Sequence, residues 1–195
     1  MDRPGSKRRR LLVKTTLTFS AVGVAGGVYP LLSSMSPSAR AQSAGGPVSV
    51  DISKLLPGQQ IVVVWRQKPV WVLRRSSKMI DVLSDSNPKL LDPESTNTDQ
   101  QPEYAQNIYR SIEPDVLVVV ALCTHLGCIP TFRPDVSAPD LGVDWQGGYF
   151  CPCHGSRFDL AGRVYKNVPA PANLVVPPHG YLSNSIIEIG GTQVA

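Results

Sequence analysis

Two short clusters constrain this chain more than anything else in it. All four cysteines and two of the three histidines fall in Cys123-Thr-His125-Leu-Gly-Cys128 and Cys151-Pro-Cys153-His154-Gly-Ser156. Inside them a Cys-x-His element is followed, across residues 126–150, by a Cys-x-x-His element. Two cysteines and two histidines complete one four-ligand site. Zinc accepts that set, and so does a binuclear iron-sulfur cluster in which imidazoles replace two thiolates on one iron. A third arrangement, two disulfides beside idle histidines, leaves both imidazoles and the flanking glycines without a task. Either metal site leaves two thiols over, and in an oxidising compartment leftover thiols form a disulfide.

The N-terminus decides which compartment the clusters face. Residues 1–14 hold six cations (Arg3, Lys7, Arg8, Arg9, Arg10, Lys14) against Asp2. Residues 15–35 then carry no charge, and about 20 such residues span the hydrocarbon of a bilayer. Cations before the span and none just after it predict an N-terminus in the cytoplasm and everything beyond Met35 outside. Arg9-Arg10-Leu11-Leu12-Val13-Lys14 has the spacing of a twin-arginine export signal, and Ala39-Arg40-Ala41 offers a signal-peptidase site. Of the formal +4, this segment supplies +5, so the remainder, with 13 cations and 14 acids, is near neutral. A nucleic-acid-binding domain needs its basic face on the fold, so nucleic acid is excluded as a partner.

Beyond the span, residues 33–47 are small and polar without periodicity, the composition of a flexible tether. The rest reads as turn-rich and all-β, with 16 glycines, 18 prolines and only 17% charged residues. Residues 60–66 and 69–75 are β-branched and aromatic runs on either side of a short turn, predicting paired strands. Residues 84–106 are polar and read as loop with room for a short helix. The unbroken run Val116–Leu122 predicts a buried strand that delivers the chain directly into Cys123. Residues 185–189 predict a last strand. His179, between Pro178 and Gly180, has no metal-like spacing and reads as a surface histidine.

The motif pair resembles the Rieske iron-sulfur proteins of cytochrome bc complexes, with anchor, tether and strands in the same order over nearly the whole chain. The resemblance implies an all-β fold, an antiparallel β sandwich with a small cluster-binding subdomain at about 121–172, preceded by one N-terminal transmembrane helix. It divides the chain into a basic cytoplasmic segment with a twin-arginine-like signal (1–14), a transmembrane helix (15–35), a hinge (36–50) and a periplasmic domain (51–195). It implies one [2Fe-2S] cluster per chain, Cys123 and Cys151 holding the inner iron and His125 and His154 the outer one. By the same resemblance Cys128 bridges to Cys153, and Val168-Pro169-Ala170-Pro171 covers the cluster's other side. Ser156 would bond a bridging sulfide through its hydroxyl. Phe158 stands where many high-potential relatives carry a tyrosine that donates to a ligand sulfur, or else it is core packing.

Exchanging two thiolates for neutral imidazoles removes two negative charges, which raises the reduction potential far above that of an all-cysteine cluster. The second ring nitrogen of a ligating histidine also carries a proton, held more tightly once an electron is added. The implied activity is therefore quinol oxidation with His154 and His125 as catalytic residues, His154 meeting the quinol. The implied partners are a cytochrome b subunit, a c-type cytochrome subunit and ubiquinol, in a dimeric multi-subunit complex of the bacterial inner membrane. A related alternative is the Rieske small subunit of an exported molybdenum oxidase such as arsenite oxidase. Ring-hydroxylating dioxygenases fit less well, since those relatives generally lack the second cysteine pair.

Overall fold

The computed structural model describes residues 4–38, 45–85 and 87–191, the side chains of 4–6, 85 and 87 excepted. The chain divides into two units, residues 1–43 and 44–195. The first is a single helix, α1 (Pro4–Ser34). From Pro4 on, the basic segment expected to precede the span is thus itself helical, continuous with it. Its stretch Lys7–Ser34 is long and apolar enough to cross a membrane. Five hydroxyls within it are satisfied locally: Thr15, Thr16 and Thr18 donate to carbonyls three or four residues back, as do Ser33 and Ser34. In lipid, where no water is on offer, that removes the cost of their hydroxyls. The proposed cleavage site Ala39–Ala41 lies outside the described residues.

The second unit is built from three three-stranded antiparallel sheets. One joins β1 (Val48–Asp51), β9 (Ile186–Ile189) and β8 (His179–Ser183), in that order. Val48 to Val50, placed by the resemblance in the hinge, are therefore paired strand, and Val50 is buried. A second sheet orders β2 (Gln60–Trp65), β3 (Lys68–Arg74) and β4 (Val116–Val120). The β2–β3 hairpin turns at Arg66 and Gln67, whose φ values of 48° and 61° match the left-handed turn that suits strand twist. The third sheet joins β5 (Thr131–Arg133), β6 (Gly148–Phe150) and β7 (Arg157–Phe158). A short helix α2 (Ser77–Asp85) and three 3-10 turns occupy the long connection between β3 and β4, so the helix begins ahead of the polar stretch assigned to loop.

The middle sheet has a core on each face, which explains its uninterrupted apolar sequence. Val70, Val72, Val116, Val118 and Val120 pack toward Val50, Ile187 and Ile189 of the first sheet, forming the sandwich. The alternate residues Trp71, Leu73, Leu117 and Val119 face Tyr149, Phe158 and Leu160 of the third sheet and its loops. The period of two continues past β4: Ala121 and Cys123 belong to that same second core. A strand buried on both sides thus aims the first cysteine at the third sheet.

Candidate metal centre

Two six-residue loops form the site, one after β4 and one between β6 and β7. They share one backbone scheme. The first residue's N–H donates to the sixth's carbonyl, Cys123 to Cys128 and Cys151 to Ser156, both at 2.8 Å. The fifth residue, Gly127 or Gly155, donates back to the first residue's carbonyl at 2.9 Å. Both glycines hold positive φ, 81° and 77°. An added Cβ would meet no atom within 4 Å at either, so the requirement for glycine is conformational and not spatial. Gly155→Ala is expected to cost about 1–2 kcal/mol, read as a lower melting temperature of the loaded protein; an unchanged melt would mean the loop does not need the left-handed residue.

The structure brings all six expected Cys and His side chains together and separates them by role. Cys128 and Cys153 form a disulfide with Cα atoms 6.7 Å apart. Cys123 and Cys151 remain free and buried. The sulfurs of Cys128, Cys151 and Cys153 lie within 4.8 Å of one another, but two of these are spent in the disulfide, so only Cys151 of that trio can be a thiolate donor. The Cys151 thiol is pushed up first by burial and then by the adjacent Cys123 sulfur, while the backbone N–H groups of Cys153 and His154 pull the other way. Those N–H groups are the sulfur-directed donors that a glycine-containing loop makes available.

The imidazoles of His125 and His154 meet edge to face with centroids 4.7 Å apart. His154 is exposed. His125 is half-buried, and its Nδ1 is enclosed with no hydrogen-bond partner among the described residues. A buried orphan nitrogen beside two buried thiols is costly unless another group meets it. Two free buried thiols and two imidazoles that meet edge to face, carried on the same two loops, are the donor set of a [2Fe-2S] cluster with mixed ligation, and the residues present fit that group.

Residues 168–172 lie across the two loops. The Thr124 hydroxyl donates to the Ala172 carbonyl at 2.6 Å, and the Ser156 hydroxyl accepts the Ala170 N–H at 3.1 Å. Ser156 is fully buried. Its oxygen is engaged there as an acceptor, which leaves its proton available to donate to another group. Phe158 is fully buried in the core that contains Cys123 and Cys151. A phenol at this position needs a partner for its O–H, and by the resemblance a cluster-ligating sulfur would be that partner. Phe158→Tyr is expected to raise the midpoint potential modestly in a voltammetric titration; a fall or no change would contradict that hydrogen-bond account.

Two features of the surroundings escaped sequence reasoning. Tyr149 stacks on Trp71 at 4.6 Å and donates its hydroxyl to Gln60 at 3.0 Å, which braces the third sheet against the second. Asp159 and Arg163 form a fully buried ion pair at 2.8 Å in the turn after β7. His179, expected at the surface, is instead 2% exposed. The reason is its strand: on β8 its backbone N–H donates to the Tyr104 hydroxyl at 2.8 Å, its ring packs edge-on against Tyr104, and Nδ1 sits 2.9 Å from the Pro177 carbonyl. Burial pulls its basicity down. It stays outside the metal centre, as its spacing indicated.

Comparison with known proteins agrees with this geometry. Residues 47–178 match the Rieske [2Fe-2S] domain, and residues 2–38 match the ubiquinol-cytochrome c reductase Fe-S subunit TAT signal. A ubiquinol-cytochrome c reductase iron-sulfur subunit of Allochromatium vinosum is 57% identical over 94% of this chain and 88% of its own length. The corresponding subunit of Bradyrhizobium diazoefficiens is 40% identical over 94% of both chains. Among solved structures, a chain of a hyperthermophilic respiratory Complex III is 26% identical, covers 89% of this chain and 98% of its own, and superposes with a TM-score of 0.49. The chain carries a Rieske [2Fe-2S] centre on a mostly β domain behind an apolar N-terminal helix, and it belongs to the family of ubiquinol-cytochrome c reductase iron-sulfur subunits.

Proposed function

We propose that Cys123 and Cys151 ligate the inner iron and His125 and His154 the outer iron, and that the domain takes electrons from ubiquinol at a cytochrome b subunit and gives them to a c-type cytochrome. The observation that carries this is that each of the two loops brings one buried free thiol and one imidazole, the two imidazoles meeting edge to face and that of His154 exposed. When bound, the cluster supplies one-electron redox chemistry at a potential high enough for a quinol donor. The chain's residues do the rest. His125 and His154 stand at the surface end of the site, and the exposed ring of His154 presents its outer nitrogen as the acceptor for a quinol hydroxyl. Cys123 and Cys151 lie at the inner end, shielded from water by Phe158, Leu160 and Ala161. Ser156 directs its hydroxyl proton into the site, and the loop N–H groups stabilise negative charge on Cys151.

The same reading makes residues 15–35 a retained inner-membrane anchor with the domain that begins at β1 (Val48) on the periplasmic side, in a dimeric complex with the two cytochrome subunits. The apolar helix, the export-signal match and the printed names of the relatives support it. Those names also favour it over the small subunit of an exported molybdenum oxidase. The test is to purify the full chain from its native membranes under mild detergent. Haem b and haem c should accompany it, and the preparation should reduce cytochrome c with ubiquinol. Molybdenum in place of haem b, with oxidation of an oxyanion donor, would contradict the reading.

A further inference from the structure

The charge enclosed by this domain does not balance. Among the described residues, the charged side chains that the fold encloses are Arg75, Arg110, Arg163 and Asp159, each 2% exposed or less. Arg163 pairs with Asp159 through Nε and a terminal nitrogen, both at 2.8 Å. Arg75 and Arg110 have no carboxylate within ion-pair distance. The acid that acts most on both is the buried Asp159, already paired with Arg163; beyond it, Asp115 toward Arg75 is 44% exposed and 3.7 Å from Arg74, and Asp92 toward Arg110 is engaged with the N–H groups of Thr96 and Asn97, so one enclosed carboxylate faces three enclosed guanidiniums.

Both guanidiniums are spent on neutral oxygens. Arg75 donates to the Tyr109 carbonyl at 2.9 Å, the Ser111 hydroxyl at 2.7 Å and the Leu160 carbonyl at 3.5 Å. Arg110 donates to the carbonyls of Ala161 and Gly162, each at 3.3 Å, and to Gln101 Oε1 at 3.0 Å. Nε of each has no partner. Burial lowers both to about 10, which leaves them cationic at neutral pH. Enclosing cations without anions is expensive, and apolar side chains would fill the same space at less cost.

Their location suggests what the charge does. Three of the oxygens they hold belong to residues 160–162, in the turn that follows β7, the strand into which the Cys151–Ser156 loop runs. Leu160 and Ala161 pack in one apolar cluster with Cys123 and Cys151. A fixed charge acting through such a medium is felt several-fold more strongly than one acting through water. Adding an electron to the centre is favoured by positive potential there.

We propose that Arg75 and Arg110 are positioning residues that raise the reduction potential of the centre by holding net positive charge beneath the second ligand loop, with Asp159 trimming that charge. The proposal rests on the ligand assignment given above. Its test is a redox titration of the full-length chain in its membrane complex, followed by the electron paramagnetic resonance of the reduced centre. Arg75→Met and Arg110→Met should lower the midpoint with unchanged g values, and Arg75→Lys should stay close to the parent. Asp159→Asn should raise the midpoint. The opposite signs matter, because loosened packing would shift all these variants the same way. A parent-like midpoint in Arg75→Met with intact g values, a fall in Asp159→Asn, or an equal fall in Arg75→Lys would each overturn the proposal. If the methionine variants fail to load a cluster, the Arg75→Lys and Asp159→Asn results decide it. A parent chain with no Rieske signal at all would fail the ligand assignment itself, and the tuning account with it.

Discussion

Replacing Cys128 and Cys153 together by serine is expected to leave the first and second sheets folded while the purified protein loses most of its iron, tenfold or more. The bridge spans a sequence separation of 25 residues, which corresponds to about 3.5 kcal/mol of constraint on the open state. At about 1.4 kcal/mol per decade, its loss makes separation of the two loops roughly two orders of magnitude more populated. The effect is concentrated on the centre because Cys153 is the immediate neighbour of His154 and Cys128 ends the loop that begins at Cys123. The strand cores are filled by other residues and do not depend on it. Iron and acid-labile sulfide, measured beside a far-ultraviolet circular dichroism spectrum, check this. A double-serine variant with full cluster content would contradict a structural role for the bridge.

Deleting Ser43–Pro47 is expected to slow quinol-dependent turnover of the assembled complex by about tenfold or more while leaving the cluster's spectrum and midpoint unchanged. Five extended residues supply about 17 Å of reach. A tether too short to span two sites drives the effective concentration at the second toward zero. The deletion stops short of Val48, where pairing of β1 with β9 begins, so the domain's own hydrogen bonds stay intact. Steady-state cytochrome c reduction is the measurement. Unchanged turnover would contradict the proposal that the domain travels between its electron donor and acceptor.

Where one physical rule dominated, the sequence was readable. The charge-free stretch reads as a membrane helix, and α1 is long and apolar enough to be one. Of the apolar run 116–122, Val116–Val120 became a strand with a core on each face, and its period of two carries on past the strand into Cys123. The division of cysteines also holds, with 128 and 153 bridged and 123 and 151 free. What stayed hidden depends on partners distant in the chain. Nothing near His179 announces Tyr104, 75 residues earlier, which encloses it. Arg75 looks like a surface cation beside Arg74, yet it is in phase with Trp71 and Leu73 on the strand face that turns inward. Alternation could have flagged it. Hydropathy could not, because it scores every arginine as solvent-facing. Arg110 and Asp159 sit in irregular segments where no periodicity exists to consult.

The account turns on what the four free Cys and His donors hold. Metal and acid-labile sulfide analysis of the freshly purified full-length chain, with electron paramagnetic resonance of the dithionite-reduced form, tests this directly. Two irons and two sulfides per chain with a Rieske-type signal are predicted, as the domain match requires. Stoichiometric zinc, or a chain free of iron and sulfide when isolated from its native membrane, would contradict it.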